Sequence, residues 1–340
     1  MEDKDIFETQ WEQGLPPENE MKQIQRTIRK RNGRIIAISV VLAAAILLIS
    51  VFGIVPTLEE LYWHPYDGTI GEGVTDLTLV LSAYTELFQP GWVIDRVYWG
   101  KNGFAAYDLD IVRQYTATNE YKFMTGQLEK GQLHWDYHFS SEQAENIFYD
   151  GAYLYPNLFS WEDSKEHSTD LAVLPEYVTV EARIFFSQNL DMDQILKIRE
   201  EYQLPITWIG IQNAHENFDI RLCGMSPFSA HTIYYEVNKK YPQFCVETSK
   251  NPDFIITSQN LEDHFKSLLQ FSSDMLEAGR GARVYGGDRN YYQEVLDYVE
   301  ENGVMSYGMI VATTPQVLLD LKNHEWIADI TILDGWLDIG

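Results

Sequence analysis

The sequence predicts an α+β protein on a single N-terminal transmembrane helix, with a β-rich first outer half and C-terminal helices packed on a mixed sheet. Three observations carry this. Ile35 to Val55 form an uncharged run of 21 residues. Short aromatic runs broken by glycine and asparagine fill residues 92–138. From residue 176 onward, segments of period 2 alternate with segments of period 3.6, the pattern of strands exchanged with helices. The chain therefore divides into a cytoplasmic segment (1–34), a membrane helix (35–55), a β-rich outer region (56–175) and an α+β domain (176–340).

At about 1.5 Å per helical residue, the apolar run reaches roughly 30 Å, the thickness of a bilayer core. Its N-terminal flank carries Lys22, Arg26, Arg29, Lys30, Arg31 and Arg34, and Glu59, Glu60, Asp67, Glu72 and Asp76 follow it. The positive-inside rule then predicts a cytoplasmic N-terminus and a single-pass protein of the cell membrane, with 56–340 outside. A cleaved signal peptide fits less well, because the leader is long and Ser50 to Ile54 offer no small-x-small site. The span contains no charge, which argues against a channel or transporter. Its small residues, among them Ala37, Ala44 and Gly53, would allow close association of two helices.

Ahead of the span, an acidic-aromatic stretch (Ile6, Phe7, Trp11) leads through the turn Gly14-Leu15-Pro16-Pro17 into a polar helical pattern. Met21, Ile24 and Ile28, spaced by 3 and 4, make one thin apolar stripe on it. Two readings are open. The basic cluster Arg26, Arg29, Lys30, Arg31 and Arg34 would hold a juxtamembrane helix against anionic lipid. Alternatively, Phe7, Trp11 and Leu15 are the apolar anchors of a docking peptide, continued by Met21, Ile24 and Ile28.

In the outer region, Trp92–Trp99 and Tyr121–Met124 read as strands, Lys101-Asn102-Gly103 and Lys130-Gly131 as turns, and Gln132–His138 as extended. A polar break covers 161–170. Beyond it Val178, Val180, Ala182 and Ile184 alternate with polar residues as in a half-buried strand. Asp191 with Gln194 forms a capping box for a helix through Ile195, Leu196 and Ile198. Ile206–Ile211 is the next strand. Asn260 with Asp263 opens a helix through Phe265, Leu268 and Leu269. Asp288 opens another, stopped by Asn302-Gly303. Strand Met305–Ala312, a short helix entered through Thr314-Pro315, and strand Ile327–Leu333 complete the order. The helix-loop-strand stretches at 192–211 and 289–311 echo one another loosely.

Composition narrows the function classes. Residues 1–34 balance seven acidic against seven basic side chains, so 56–340 hold 44 acidic and 18 basic ones. Such an exterior repels polyanions, which excludes direct nucleic-acid binding by this part. The two cysteines, Cys223 and Cys245, are a candidate disulfide worth about 3 kcal/mol on the chain-entropy model, or else two buried thiols. Of the eight histidines only His134 and His138 are close in sequence, and on a strand they stand about 13 Å apart, too far for one metal ion. Ser226 lacks a nucleophile-elbow context, and the glycine cluster 279–287 lies between helices rather than after a strand. No metal, cofactor or catalytic residue is predicted, and the chain reads as a non-enzyme.

Ile206-Thr207-Trp208-Ile209-Gly210-Ile211 and Ser306-Tyr307-Gly308-Met309-Ile310-Val311-Ala312-Thr313, followed by Leu318-Leu319, Leu321 and Trp326-Ile327, resemble the sigma-factor regulators, or anti-sigma factors, of low-GC Gram-positive bacteria. The likeness spans roughly 20–70 and 175–335. It implies that the protein holds an extracytoplasmic-function sigma factor at the membrane and answers envelope stress through an outer sensor domain, thereby regulating transcription. Residues 1–34 contain neither His nor Cys, so a zinc-binding grip is not implied. The grip would rest on the short apolar peptide or on a second membrane regulator, with self-association left open. Trp208, Tyr307 and Trp326 are expected to be core residues. The alternative is an envelope-anchored module that binds or hydrolyses wall glycan, suggested by the aromatic residues of 92–160.

Overall fold

A computed structural model describes residues 18–65, 76–135, 171, 174–213, 223–227, 235–246, 255–277 and 289–337. Two compact units result, Met1–Leu61 and Tyr62–Gly340.

The first unit is helical: α1 (Glu18–Ile49), a π-helical turn (Ser50–Ile54) and α2 (Val55–Glu59). The membrane helix was expected over 35–55, and the helical path continues through Pro56 to Glu59. Proline lacks an N–H and its ring collides with the carbonyl four residues back. The π turn lies at that place, with the Val55 N–H donating to the Ser50 carbonyl one residue farther back than in an α-helix. The Thr57 hydroxyl donates to the Gly53 carbonyl at 2.8 Å. The helix is long and apolar enough to cross a membrane, and none of its most apolar window is buried within the protein.

The second unit opens with α3 (Asp76–Phe88), buried at all 13 positions. This helix is an addition to the β-rich reading of 56–175. Leu77-Thr78-Leu79-Val80-Leu81 imitates a strand, and a helix enclosed on every side shows no polar face from which its period can be read. An antiparallel meander follows: β1 (Trp92–Gly103), β2 (Ala106–Tyr115), β3 (Glu120–Glu129) and β4 (Gln132–Trp135). Tyr107, Leu109, Ile111, Leu128 and Leu133 are buried, while Tyr98, Tyr121 and Phe123 are exposed.

The remaining elements are β5 (Val178–Leu190), α4 (Met192–Tyr202), β6 (Ile206–Ile211), β7 (Cys223–Met225), α5 (Tyr235–Lys240), α6 (Ser258–Glu277), α7 (Arg289–Asn302), β8 (Ser306–Thr313), α8 (Pro315–Leu321) and β9 (Ile327–Leu337). The capping box of α4 is complete, with the Gln194 N–H donating to Asp191 at 2.8 Å and the Asp191 N–H to the Gln194 side chain at 3.0 Å. Helix α6 starts earlier than Asn260, because Thr257 and Asn260 exchange the equivalent bonds.

The second sheet runs β7-β6-β8-β5-β9. The α+β class and helices packed on a sheet are as expected, but every ladder in this sheet is antiparallel rather than mixed. The reason lies in the connections. β5 and β6 run the same way around α4, yet β8 enters between them; β8 and β9 run the same way around α8, with β5 between them. These are two interlocked split β-α-β units, a β-α-β-β-α-β order with residues 212–305 inserted at its centre. The helix-loop-strand order at 192–211 and 289–311 is present in both places, and the β-α-β units repeat as 178–211 and 306–337. One hydrophobic core joins α3 and the meander (Leu87, Ile111) to the second sheet and its helices (Ile184, Ile209, Phe265, Leu321), so it runs across residue 175 without a break.

Candidate functional site

Phe7, Trp11 and Leu15 lie outside the described residues. Met21, Ile24 and Ile28 lie on α1 with relative exposures of 38%, 49% and 50%. Ile24 and Ile28 line a shallow hollow with Glu20, Gln23 and Thr27. Covering three half-exposed side chains is worth about 1 kcal/mol each, or roughly two decades of affinity in all. That is too little for a tight complex on its own. Arg26, Arg29, Lys30, Arg31 and Arg34 are all exposed in the turns leading into the apolar run, where cations suit an anionic lipid surface.

In the second unit, both strand motifs place an aromatic ring over a glycine. Trp208 is fully buried and its ring covers Gly224 on β7, so closely that a side chain there would overlap the indole. Tyr307 covers Gly210, where a Cβ would stand 2.5 Å from the ring. Phe185 stacks on Tyr307 with centroids 6.5 Å apart, and the Arg183 guanidinium lies 4.9 Å above the Phe185 ring. Trp326 is half-buried and packs its ring edge-on to His324.

Trp208 also ties the sheet to α3, its indole N–H donating to the Glu86 carbonyl at 2.9 Å. That carbonyl lies in the last turn of α3, where carbonyls have no partner within the helix. The Glu86 carboxylate turns the other way and meets His264 Nε2 of α6 at 3.0 Å, both groups buried. His264 Nδ1 lies 2.8 Å from the Gln243 carbonyl, which only accepts. Nδ1 therefore carries a hydrogen, and Nε2 and the carboxylate share one further proton.

A second polar link joins the sheets: the Tyr115 hydroxyl of β2 donates to Glu181 of β5. Burial pushes Glu181 above the usual carboxylate range, Asp334 adds to the rise and the Tyr115 bond opposes it. Burial raises Tyr115 as well, and Glu181 adds to that.

The cysteines are separate thiols, so the structure does not join Cys223 to Cys245. Cys223 accepts from Asn213 Nδ2 at 3.2 Å on β7, whereas Cys245 is held in the loop after α5 by the Asn238 side chain. Burial pushes the Cys223 thiol up to about 11, against its hydrogen bonds, which leaves it unreactive. Among the described residues no group of three or more His, Cys, Asp or Glu side chains could hold a metal ion. His138 and the glycine cluster at 279–287 fall outside the described residues.

Glu86, His264, Tyr115 and Glu181 carried no sequence signal for a site. A trace exists only at His264, which sits on the apolar stripe of α6 beside Leu261, Phe265 and Leu268.

Residues 171–333, just under half of the chain, match the family described as Sigma factor regulator C-terminal. This region contains the whole second sheet apart from the last residues of β9. No curated protein and no solved structure matches the chain. The matched domain is regulatory and non-catalytic, and together with the apolar helix it supports a membrane-anchored role in sigma-factor regulation.

Proposed function

We propose that the protein is an anti-sigma factor: residues 1–34 hold an extracytoplasmic-function sigma factor at the inner face of the membrane, and the outer domain responds to an envelope signal. The observation that carries this reading is the sigma factor regulator C-terminal match at 171–333, separated from a basic, apolar-striped N-terminal segment by one membrane-length helix. The basic flank supports a cytoplasmic N-terminus. Phe7, Trp11 and Leu15 supply the anchors that Met21, Ile24 and Ile28 are too few to replace, so specificity depends on one or two aromatic side chains. Signal passes through a change in association or position of the helix, or through cleavage of the anchor.

Topology is the first test. Protease added to intact cells should remove the outer domain and spare an N-terminal tag; loss of the tag would overturn the orientation and the regulator reading together. The exposed rings of Tyr98, Tyr121 and Phe123 on the meander favour one other reading, a glycan-binding surface. Retention of the intact chain on purified wall glycan, lost in Phe123→Ala, would select it instead.

A further inference from the structure

Within the second unit, the meander leaves α3 through a joint and meets the second sheet through a tyrosine, and the two lie side by side. The joint is Gly91, between the end of α3 at Phe88 and the start of β1 at Trp92, with a φ of 75° that favours glycine. A Cβ there would stand 2.7 Å from the Tyr115 ring, so glycine is what lets this ring lie across the joint. Trp92 tilts against the same ring, with centroids 4.8 Å apart. The next residue, Thr116, donates to the Gly91 carbonyl from its N–H at 2.8 Å and from its hydroxyl at 3.0 Å. Tyr115 is thereby held with its hydroxyl on Glu181 of β5.

Glu181 is poorly provided for as an ion. It is 3% exposed, and its second carboxylate oxygen, also buried, has no hydrogen-bond partner among the described residues. On the two strands that flank β5 it is paired with Ala312 of β8 and Asp334 of β9. It is therefore faced by a phenol from the meander, a methyl group from β8 and a second carboxylate from β9. The neighbouring cations are engaged elsewhere. Arg183, two residues along β5, lies over the Phe185 ring and donates to Thr331 at 3.3 Å. Arg113, two residues before Tyr115, lies 4.0 Å above the Trp92 ring, and Lys122 lies 5.1 Å from the same ring.

An ionised Glu181 would thus be a buried charge with one donor, one orphaned oxygen and a like charge opposite it on the next strand. Burial outweighs the Tyr115 bond and Asp334 adds to burial, so Glu181 keeps its proton above the usual carboxylate range. While it is neutral the junction holds. Once its proton has passed to solvent, the charge gains water when the Tyr115 ring moves off it, and the chain can turn at Gly91. The bond from the Trp208 indole to the Glu86 carbonyl lies on the α3 side of that joint, so α3 stays on the sheet.

We propose that Tyr115, Glu181 and Asp334 form a proton-operated latch between the meander and the second sheet: the protonated carboxyl holds Tyr115 in place, and loss of its proton frees this end of the meander to pivot at Gly91. The latch belongs to the second unit alone and does not depend on the anti-sigma reading. Under that reading, proton activity outside the membrane is a signal the domain answers.

The test uses the full chain with Cys245→Ser in detergent micelles, carrying spin labels at Thr118→Cys, in the turn after Tyr115, and at Glu200→Cys, on α4. Both positions are exposed, and buried Cys223 stays unlabelled. Pulsed electron resonance gives the distance between the labels from pH 4 to pH 8, and infrared difference spectra follow the protonated carboxyl. The expected result is one narrow distance in acid that broadens as pH rises, in step with loss of a carboxyl band. Glu181→Gln should lack that band and keep the narrow distance throughout. Asp334→Asn, which removes the like charge, should move both changes to lower pH. A distance that stays narrow at every pH overturns the latch, as does broadening that persists in Glu181→Gln, or the absence of any titrating band that Glu181→Gln removes. A transition unmoved by Asp334→Asn overturns the part assigned to Asp334. None of these outcomes bears on sigma-factor binding, which the pull-down of the intact chain tests separately.

Discussion

Replacing Trp208 by phenylalanine should destabilise the second unit by about 2 kcal/mol. The indole N–H is the partner of a carbonyl in the last turn of α3, buried and 2.9 Å away. Phenylalanine keeps most of the ring over Gly224 and removes that donor. A buried acceptor left without its partner costs about 1–3 kcal/mol. For a domain of this size the change corresponds to a fall in Tm of roughly 4–8 °C. Alanine removes the ring as well and should cost about 3–5 kcal/mol, a large part of the 5–15 kcal/mol that holds a typical domain together. Urea titration of the full chain in detergent micelles, followed by near-ultraviolet circular dichroism, measures both. Trp326→Phe serves as a half-buried control. If Trp208→Phe costs no more than about 0.5 kcal/mol, the level of an ordinary surface substitution, the cap assigned to the indole is refuted.

Glu181→Gln should leave the domain more stable at neutral pH and flatten its stability profile. A carboxyl raised by burial binds more protons folded than unfolded, so its contribution is complete below the unfolded carboxylate range and is lost as pH rises through the folded value; glutamine still accepts from Tyr115, and urea midpoints from pH 4 to pH 8 report the difference. His264→Leu should be far more damaging than its volume change suggests, about 3–5 kcal/mol, because Glu86 is left buried without its partner. A second substitution, Glu86→Leu, should recover part of that loss in the same titration. Asp191→Ala should cost about 1 kcal/mol by opening the capping box of α4, and thermal melts would show a larger loss for it than for the exposed control Glu200→Ala.

Local chemistry was the readable part of this fold. The capping box at Asp191 and Gln194, the strand Ile206–Ile211 and the entry to α8 at Pro315 each depend on neighbours within a few residues, and all three are in place. Sheet order was not readable, because strand polarity depends on which strand enters between β5 and β6, and β8 arrives about 95 residues later. Enclosure hid α3, whose burial at every position erased its period. The π turn ahead of Pro56 was missed because proline reads as a stop when no neighbouring adjustment is visible. The polar junctions were invisible for a plainer reason: Glu86 and His264 are 178 residues apart, and Trp208 reaches the Glu86 carbonyl across 122. On the N-terminal helix, the spacing of Met21, Ile24 and Ile28 was legible because it lies on one helix face.

The proposed grip of the N-terminal segment on a sigma factor depends on its aromatic anchors. A pull-down from mildly extracted membranes, using the intact chain beside a Phe7→Ala, Trp11→Ala double variant, tests it directly. Recovery of a sigma factor by the intact chain and its loss with the double variant is the expected result; equal recovery by both would remove the anchors from the mechanism, and recovery by neither would contradict the anti-sigma role.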